Sequence, residues 1–252
     1  MLFNIEGKRI LITGSTSGIG NVLAEGLAKA GAFVILNGRT QKNVDQAVAS
    51  FLERGFKTLG VAFDITNASE VELRIAELEK DSGPIDVLVN NAGIQHREPL
   101  EQFKLEDWNK VINTNLTGAF IVSQQVIKGM ITRRCGKIIN ICSLQSELAR
   151  PSITPYATAK GGLKMLTRGM ATEWAKHNIQ VNAIGPGYFK TEMTKALWEN
   201  QEFDTWLCNR TPAHRWGNPE ELIGTLIYLS SAASSFLNGQ IIYVDGGITA
   251  CI

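Results

Sequence analysis

Arg9-Ile-Leu-Ile-Thr13 is an apolar run that stops at Gly14-x-x-x-Gly18-Ile-Gly20, and from there Ile19, Val22, Leu23, Leu27 and Ala30 recur at helical spacing. A strand, a glycine turn and a helix in that order leave few folds open. Glycines at 14, 18 and 20 let the backbone turn tightly and come close to a pyrophosphate, whose charge then rests on the N-terminal amides of the following helix. Ser15, Ser17 and Ile19, between those glycines, belong to the same candidate contact surface. The spacing differs from G-x-G-x-x-G, and a glycine turn between strand and helix can be purely structural, so its context decides.

That context is a repeat of the same unit. Gly31 reads as a helix stop, and Phe33-Val-Ile-Leu-Asn37 is a second apolar run that completes a βαβ unit. A dinucleotide site that reads a free ribose 2′-hydroxyl carries an acid about 20 residues after the glycines. Gly38 and Arg39 stand there instead, so nothing repels a 2′-phosphate and a guanidinium can bind one, which predicts NADP(H) over NAD(H). A helix over about 43–54 leads into the run 58–63 and then Asp64 and Ile65; a helix over about 68–80 leads into the run 85–90. Asp64, at a strand's carboxyl end, can accept from an adenine amino group or cap the next helix. Asn90-Asn91-Ala92-Gly93 also ends a strand: small residues let a coenzyme pass, and the Asn amides can tie neighbouring backbones.

The second half continues the rhythm. A long helix over about 105–130 has Asn115 in its middle, where an asparagine implies a kink or a polar task. The strand 137–142 ends at Ser143. Thirteen residues later comes Tyr156-Ala-Thr-Ala-Lys160, a phenol and an amine at i and i+4 on one helix face. Thr154 is the expected N-cap and Pro155 the first helical residue, so a helix N-terminus and an ammonium both favour the phenolate. The strand 179–184 ends at Gly185-Pro186-Gly187, with Thr191 just beyond, and 240–245 is the last strand. Seven strands with crossover helices and no linker in 252 residues predict an α/β chain with one doubly wound parallel sheet, helices on both faces. Tyr188 to Gly217 breaks the pattern, is rich in Trp and charge, and reads as a substrate lid.

Lys+Arg 25 against Asp+Glu 24 leaves a net charge of +1, which provides no general field for nucleic acid or an anionic membrane. The N-terminus lacks a signal-peptide apolar region and no run approaches the roughly 18 residues of a membrane span, so a cytosolic protein is expected. Cys135, Cys142, Cys208 and Cys251 show no C-x-x-C spacing and read as free thiols; His96, His177 and His214 form no metal-ligand motif. The loops that should face a reacting group carry Gln95, His96, Arg97, Gln145, Glu147 and Arg150, with Lys190 and Glu192 in the lid. Such a polar wall suits a polyhydroxy acid, whose carboxylate pairs with a guanidinium, better than an apolar ketone.

Taken in order, Gly14-x-x-x-Gly18-Ile-Gly20, Asn90-Asn-Ala-Gly93, Asn115, Ser143, Tyr156-x-x-x-Lys160 and Pro186-Gly187 resemble the short-chain dehydrogenase/reductase family along nearly the whole chain. The resemblance implies a single-domain Rossmann fold, a nicotinamide coenzyme, hydride transfer and a homotetramer packed through two long helices. It implies Tyr156 as general acid or base, Lys160 lowering its pKa and holding the nicotinamide ribose, Ser143 donating to the substrate carbonyl, and Asn115 holding a water that links Lys160 to solvent. Within the family, the segments 90–97, 143–148 and 187–197 resemble the branch that interconverts 5-ketogluconate and gluconate. Related alternatives are a 2-deoxygluconate 3-dehydrogenase and a 3-oxoacyl carrier-protein reductase; outside enzymes, a coenzyme-ratio sensor would typically lack Tyr156, Lys160 and Ser143.

Overall fold

Seven parallel strands, Arg9–Ile12 (β1), Phe33–Gly38 (β2), Thr58–Ala62 (β3), Val87–Asn90 (β4), Gly136–Ile141 (β5), Ile179–Pro186 (β6) and Ile241–Val244 (β7), form one sheet in the computed structural model, which describes residues 1–251. Their order is β3-β2-β1-β4-β5-β6-β7. The main helices are Gly18–Lys29 (α1), Gln41–Glu53 (α2), Ala68–Ser82 (α3), Leu105–Ile112 (α4), Gly118–Arg133 (α5), Thr154–Trp174 (α6), Lys195–Trp198 (α7), Gln201–Arg210 (α8) and Ile223–Ser230 (α9). Every residue of β4 and β5 is buried because both faces are covered, and the polar members Asn90, Lys137 and Asn140 are buried with hydrogen-bond partners.

Successive strand residues point to opposite faces and seed two cores. Ile10, Ile12, Val34 and Leu36 pack with Leu23 and Leu27 of α1 and Leu226 of α9. Leu11, Ile35, Leu88 and Ile138 pack on the other face with Ile75 of α3, Val122 and Val126 of α5 and Met170 of α6. The chain runs outward one way from β1 to β3 and the other way from β4 to β7, so a crevice opens at the carboxyl ends of β1 and β4.

One helix stop lies where the residues predict it, at Gly31, and the start of α3 falls to a residue not singled out in the sequence. Asn67 caps α3 by accepting from the Glu70 amide at 3.2 Å, and Gly31, at φ +88°, takes the turn after α1. Two expectations are corrected. The helix over 105–130 is α4 and α5 joined by a π-helical turn at Asn113–Thr117, which puts the predicted kink at Asn115. Thr154 is the first residue of α6 rather than its cap; the cap position is Ile153, a buried anchor that offers no side-chain hydrogen bond. Between β6 and α9, the helices α7 and α8 enclose a small core of Leu144, Leu207, Trp216 and Ile248. Among the described residues, no helix is long and apolar enough to cross a membrane.

Candidate active site

A cleft of about 1000 Å³ follows the carboxyl ends of the strands from Gly14 to Thr194. The three glycines make it possible for different reasons. Gly14 has φ +63°, and a Cβ there would sit 2.9 Å from Cα of Ala92. Gly18 has φ +57° with open space around it, so its need is conformational. A Cβ on Gly20 would lie 2.4 Å from the Gly14 carbonyl oxygen and 2.4 Å from Asn91 Nδ2. Ser17 caps α1 with no side-chain hydrogen bond, leaving the first amides of that helix for an anion. Ser17, Ile19, Asp64, Ile65, Asn91, Gly93, Pro186, Gly187 and Thr191 all line the cleft, and Arg39 stands exposed at its rim beside Thr40 and Asn43.

Ser15 is different from the sequence expectation. It is fully buried: its hydroxyl donates to the Ile12 carbonyl at 2.8 Å and accepts from the Asn37 amide at 3.0 Å, so it braces the loop from behind. The cap alternative for Asp64 is also answered. Its Oδ1 accepts from the Thr66 amide and hydroxyl at 2.9 and 2.7 Å, while Asn67 caps the helix.

Ser143, Tyr156 and Lys160 line the same cleft. Burial pushes the Tyr156 phenol up to about 12, and the nearby Ser143 hydroxyl opposes that rise. The expected lowering by Lys160 is absent from this state because the ammonium is engaged elsewhere. Lys160 is buried and its Nζ donates to the Ile141 carbonyl at 2.6 Å, leaving it 5.7 Å from the Tyr156 ring centroid. Burial brings Lys160 down to about 8. The arrangement offers a neutral phenol and a hydroxyl side by side, two donors for one oxygen.

Asn115 is buried inside the π-helical turn. Its Oδ1 accepts from the Ile94 amide at 2.7 Å and its Nδ2 donates to the Ile94 carbonyl at 2.8 Å, so the side chain clamps the loop after β4 instead of reaching towards Lys160. The asparagines at the β4 end do tie elements together. Asn91 Nδ2 donates to the Thr13 and Gly14 carbonyls at 2.9 and 3.1 Å, and Asn90 Nδ2 donates to Ser123 Oγ and Asn140 Oδ1, both at 2.9 Å.

The polar wall is only partly what its residue types suggest. Glu147 turns away, held by Lys164 and by the Tyr243 hydroxyl at 2.9 Å. His96 packs on Phe103, ring centroids 5.2 Å apart, with Nε2 3.9 Å from Asp107. Gln95 accepts from Arg97 Nη2 at 3.2 Å. Arg97 and Arg150 come close enough to act on each other, beside Tyr188. Gln145 is buried under Ser143, to whose hydroxyl its amide donates at 3.2 Å. Lys190 lies over the Trp198 ring at 5.9 Å, whereas Glu192 does line the cleft.

Two site residues escape sequence reasoning. Asn37 Oδ1 accepts from the Gly14 amide at 3.2 Å while its Nδ2 donates to the Val61 and Phe63 carbonyls, so it sets the glycine loop against β3. Thr13 Oγ1 accepts from the amides of Asn91 and Ala92 at 3.0 and 3.1 Å. The available signal was a polar residue closing an otherwise apolar run.

A family model described as short chain dehydrogenase matches residues 8–202. The chain is 55% identical over 251 residues to 5-keto-D-gluconate 5-reductase of Escherichia coli (strain K12), covering 100% of this chain and 99% of that protein. It is 53% identical to gluconate 5-dehydrogenase of Gluconobacter oxydans (strain 621H), covering 100% and 98%. Among solved structures, a gluconate 5-dehydrogenase from Burkholderia cenocepacia J2315 in complex with NADP and tartrate superposes with a TM-score of 0.98 at 50% identity, covering 100% of this chain and 98% of that one.

Proposed function

The chain belongs to the short-chain dehydrogenase family, and we propose that within it this enzyme is an NADP(H)-dependent oxidoreductase that interconverts 5-keto-D-gluconate and D-gluconate. The observation that carries the reading is that the Ser143 hydroxyl, the Tyr156 phenol and the Lys160 amine all line the cleft that begins at the glycine loop. The likeness to the gluconate enzymes over the full chain supports the substrate. The coenzyme, when bound, supplies or accepts the hydride. Gly14, Gly18 and Gly20 with the open N-terminus of α1 would hold its pyrophosphate, and Arg39 at the end of β2 would pair with a 2′-phosphate.

Ser143 donates to the substrate carbonyl oxygen and stabilises the charge that develops there. Tyr156 donates its proton to that oxygen in reduction and takes it back in oxidation. Lys160, whose Nζ lies 5.7 Å from the Tyr156 ring centroid, would help to hold the ribose of a bound coenzyme, and its charge favours the phenolate that remains after proton transfer. Asn115 holds the loop carrying Ile94 in place. The assembly is a homotetramer, supported by the exposed Leu105 on α4 and Phe120 on α5. NADP(H) and four unpaired thiols suit a reducing compartment, so the reading places the enzyme in the cytoplasm.

The test follows coenzyme absorbance with NADPH or NADH and with 5-keto-D-gluconate or an acetoacetyl thioester. Oxidation of NADPH by the keto acid is expected. Preference for the thioester would replace the substrate, and no oxidation with either would point to a sensor. Tyr156→Phe should lose at least about 10²-fold in kcat while NADPH still binds; near-normal turnover refutes the acid–base role.

A further inference from the structure

Arg150 is a guanidinium set against the lid, with no anion among the described residues to pair with. It leaves the segment between β5 and α6, its Cζ lies 5.0 Å from the ring centroid of Phe203 on α8, and its Nη1 is buried without a hydrogen-bond partner. Arg97 approaches from the segment after β4. Partial burial and then the charge of Arg150 hold Arg97 below its ordinary value, so two cations share this end of the site. Like charges this close repel, and among the described residues no carboxylate offsets the charge of Arg150 at Arg97. The nearest acid in the same segment, Glu147, is withdrawn by Lys164 and Tyr243.

Gln145 supplies the complementary group. It is 8% exposed, and its Oε1 is buried with no donor. Its backbone N–H donates to the Ser143 hydroxyl at 3.2 Å, which ties this residue to the reacting end. A buried guanidinium nitrogen and a buried amide oxygen, both without partners, match a carboxylate that carries a neighbouring hydroxyl. Each left unpaired is costly.

We infer that Arg150 is the specificity-determining residue for the substrate's carboxylate, that Gln145 accepts from an adjacent hydroxyl, and that Phe203 makes the lid part of this subsite. The inference rests on the sugar-acid reading above. A planar guanidinium can stack its face on an aromatic ring while its edge binds a carboxylate in bidentate fashion, and an ammonium cannot do both. Seating the carboxylate therefore fixes Arg150, and Arg150 fixes α8.

The experiment compares 5-keto-D-gluconate with L-sorbose, which has the same chain with a hydroxymethyl group in place of the carboxylate. Arg150→Met keeps the apolar stem and removes the fork. The expected result is a fall in kcat/KM for the keto acid on the order of 10²-fold, mainly through KM, with the preference over L-sorbose shrinking by a similar factor. Arg150→Lys should recover only part of it. Unchanged kcat/KM for the acid in Arg150→Met overturns the inference, and so does an equal loss on both substrates, which would mark a packing role. If Arg150→Met no longer binds NADPH, Phe203→Leu carries the test: KM for the acid must rise several-fold and that for L-sorbose must not. A wild type that reduces 5-keto-D-gluconate beside an indifferent variant sinks this inference alone, whereas a wild type inactive on the keto acid sinks the parent reading with it.

Discussion

Lys160 should weaken the ligand-free fold at neutral pH, and the effect has a definite sign. The residue is 4% exposed, and burial lowers its pKa from 10.5 to about 8, with Cys142 opposing. Below about pH 8 the folded and unfolded chains both carry the proton, and the folded one bears the full cost of a desolvated ammonium. Between about pH 8 and 10.5 the unfolded chain keeps a proton that the folded chain has released, so the free energy of unfolding climbs with pH. At about 1.4 kcal/mol per pKa unit the climb is about 3 kcal/mol. Lys160→Met keeps the stem and removes the titration. At neutral pH its relief from desolvation is offset by loss of the hydrogen bond to Ile141, about 1.5–3 kcal/mol for a charged donor. The two proteins should therefore start close and diverge as pH rises, the wild type gaining. Urea unfolding of the ligand-free proteins from about pH 7 to 10, followed by the fluorescence of the five tryptophans, measures it. Lys137 on β5 is also buried and also lowered to about 8, but it is common to both proteins and cancels in the difference. A difference that stays flat across that window would refute the argument. Turnover should be lost in the variant throughout, since the group that burdens the fold is the one the phenol depends on.

Arg39→Ala should lower kcat/KM for NADPH by about 10–100-fold and leave NADH nearly unchanged, because the lost pairing is with the 2′-phosphate alone; parallel losses on both coenzymes would place Arg39 elsewhere. Gly20→Ala drives a Cβ into the Gly14 carbonyl, so coenzyme titration should show affinity falling at least about tenfold, with about 1–3 kcal/mol of stability lost as the loop shifts. Gly169→Ala is the contrast: that glycine lies in α6 with nothing within 4 Å of its Cβ position, and denaturation should show a gain of about 0.5–1 kcal/mol. Thr167→Val removes the hydroxyl that accepts from Asn140 Nδ2 at 2.8 Å and strands a buried amide, so about 1–3 kcal/mol should be lost in the same assay.

How far such a site is legible in its residues depends on how many neighbours each role requires. The glycine loop, the seven strands and the i, i+4 spacing of Tyr156 and Lys160 are local patterns, governed by φ, by periodicity and by helix geometry, and they could be placed before any fold was known. Asn115 was half legible. Its position in mid-helix announced a kink, yet its two bonds go to Ile94, 21 residues away in sequence, and only the packing of α4 and α5 beside the β4 end brings them together. Glu147 and Arg150 were beyond reach for the same reason, since they are three residues apart in one segment and no local rule says which acid Lys164 will claim. The charge state of Tyr156 shows the limit most sharply. Spacing places an ammonium one turn away, but the Ile141 carbonyl at 2.6 Å takes that ammonium, and burial then sets the phenol's affinity for its proton. An i, i+4 pair thus specifies which groups can cooperate, and the third partner, supplied by a strand end 19 residues earlier in the chain, decides whether they do so before a ligand arrives.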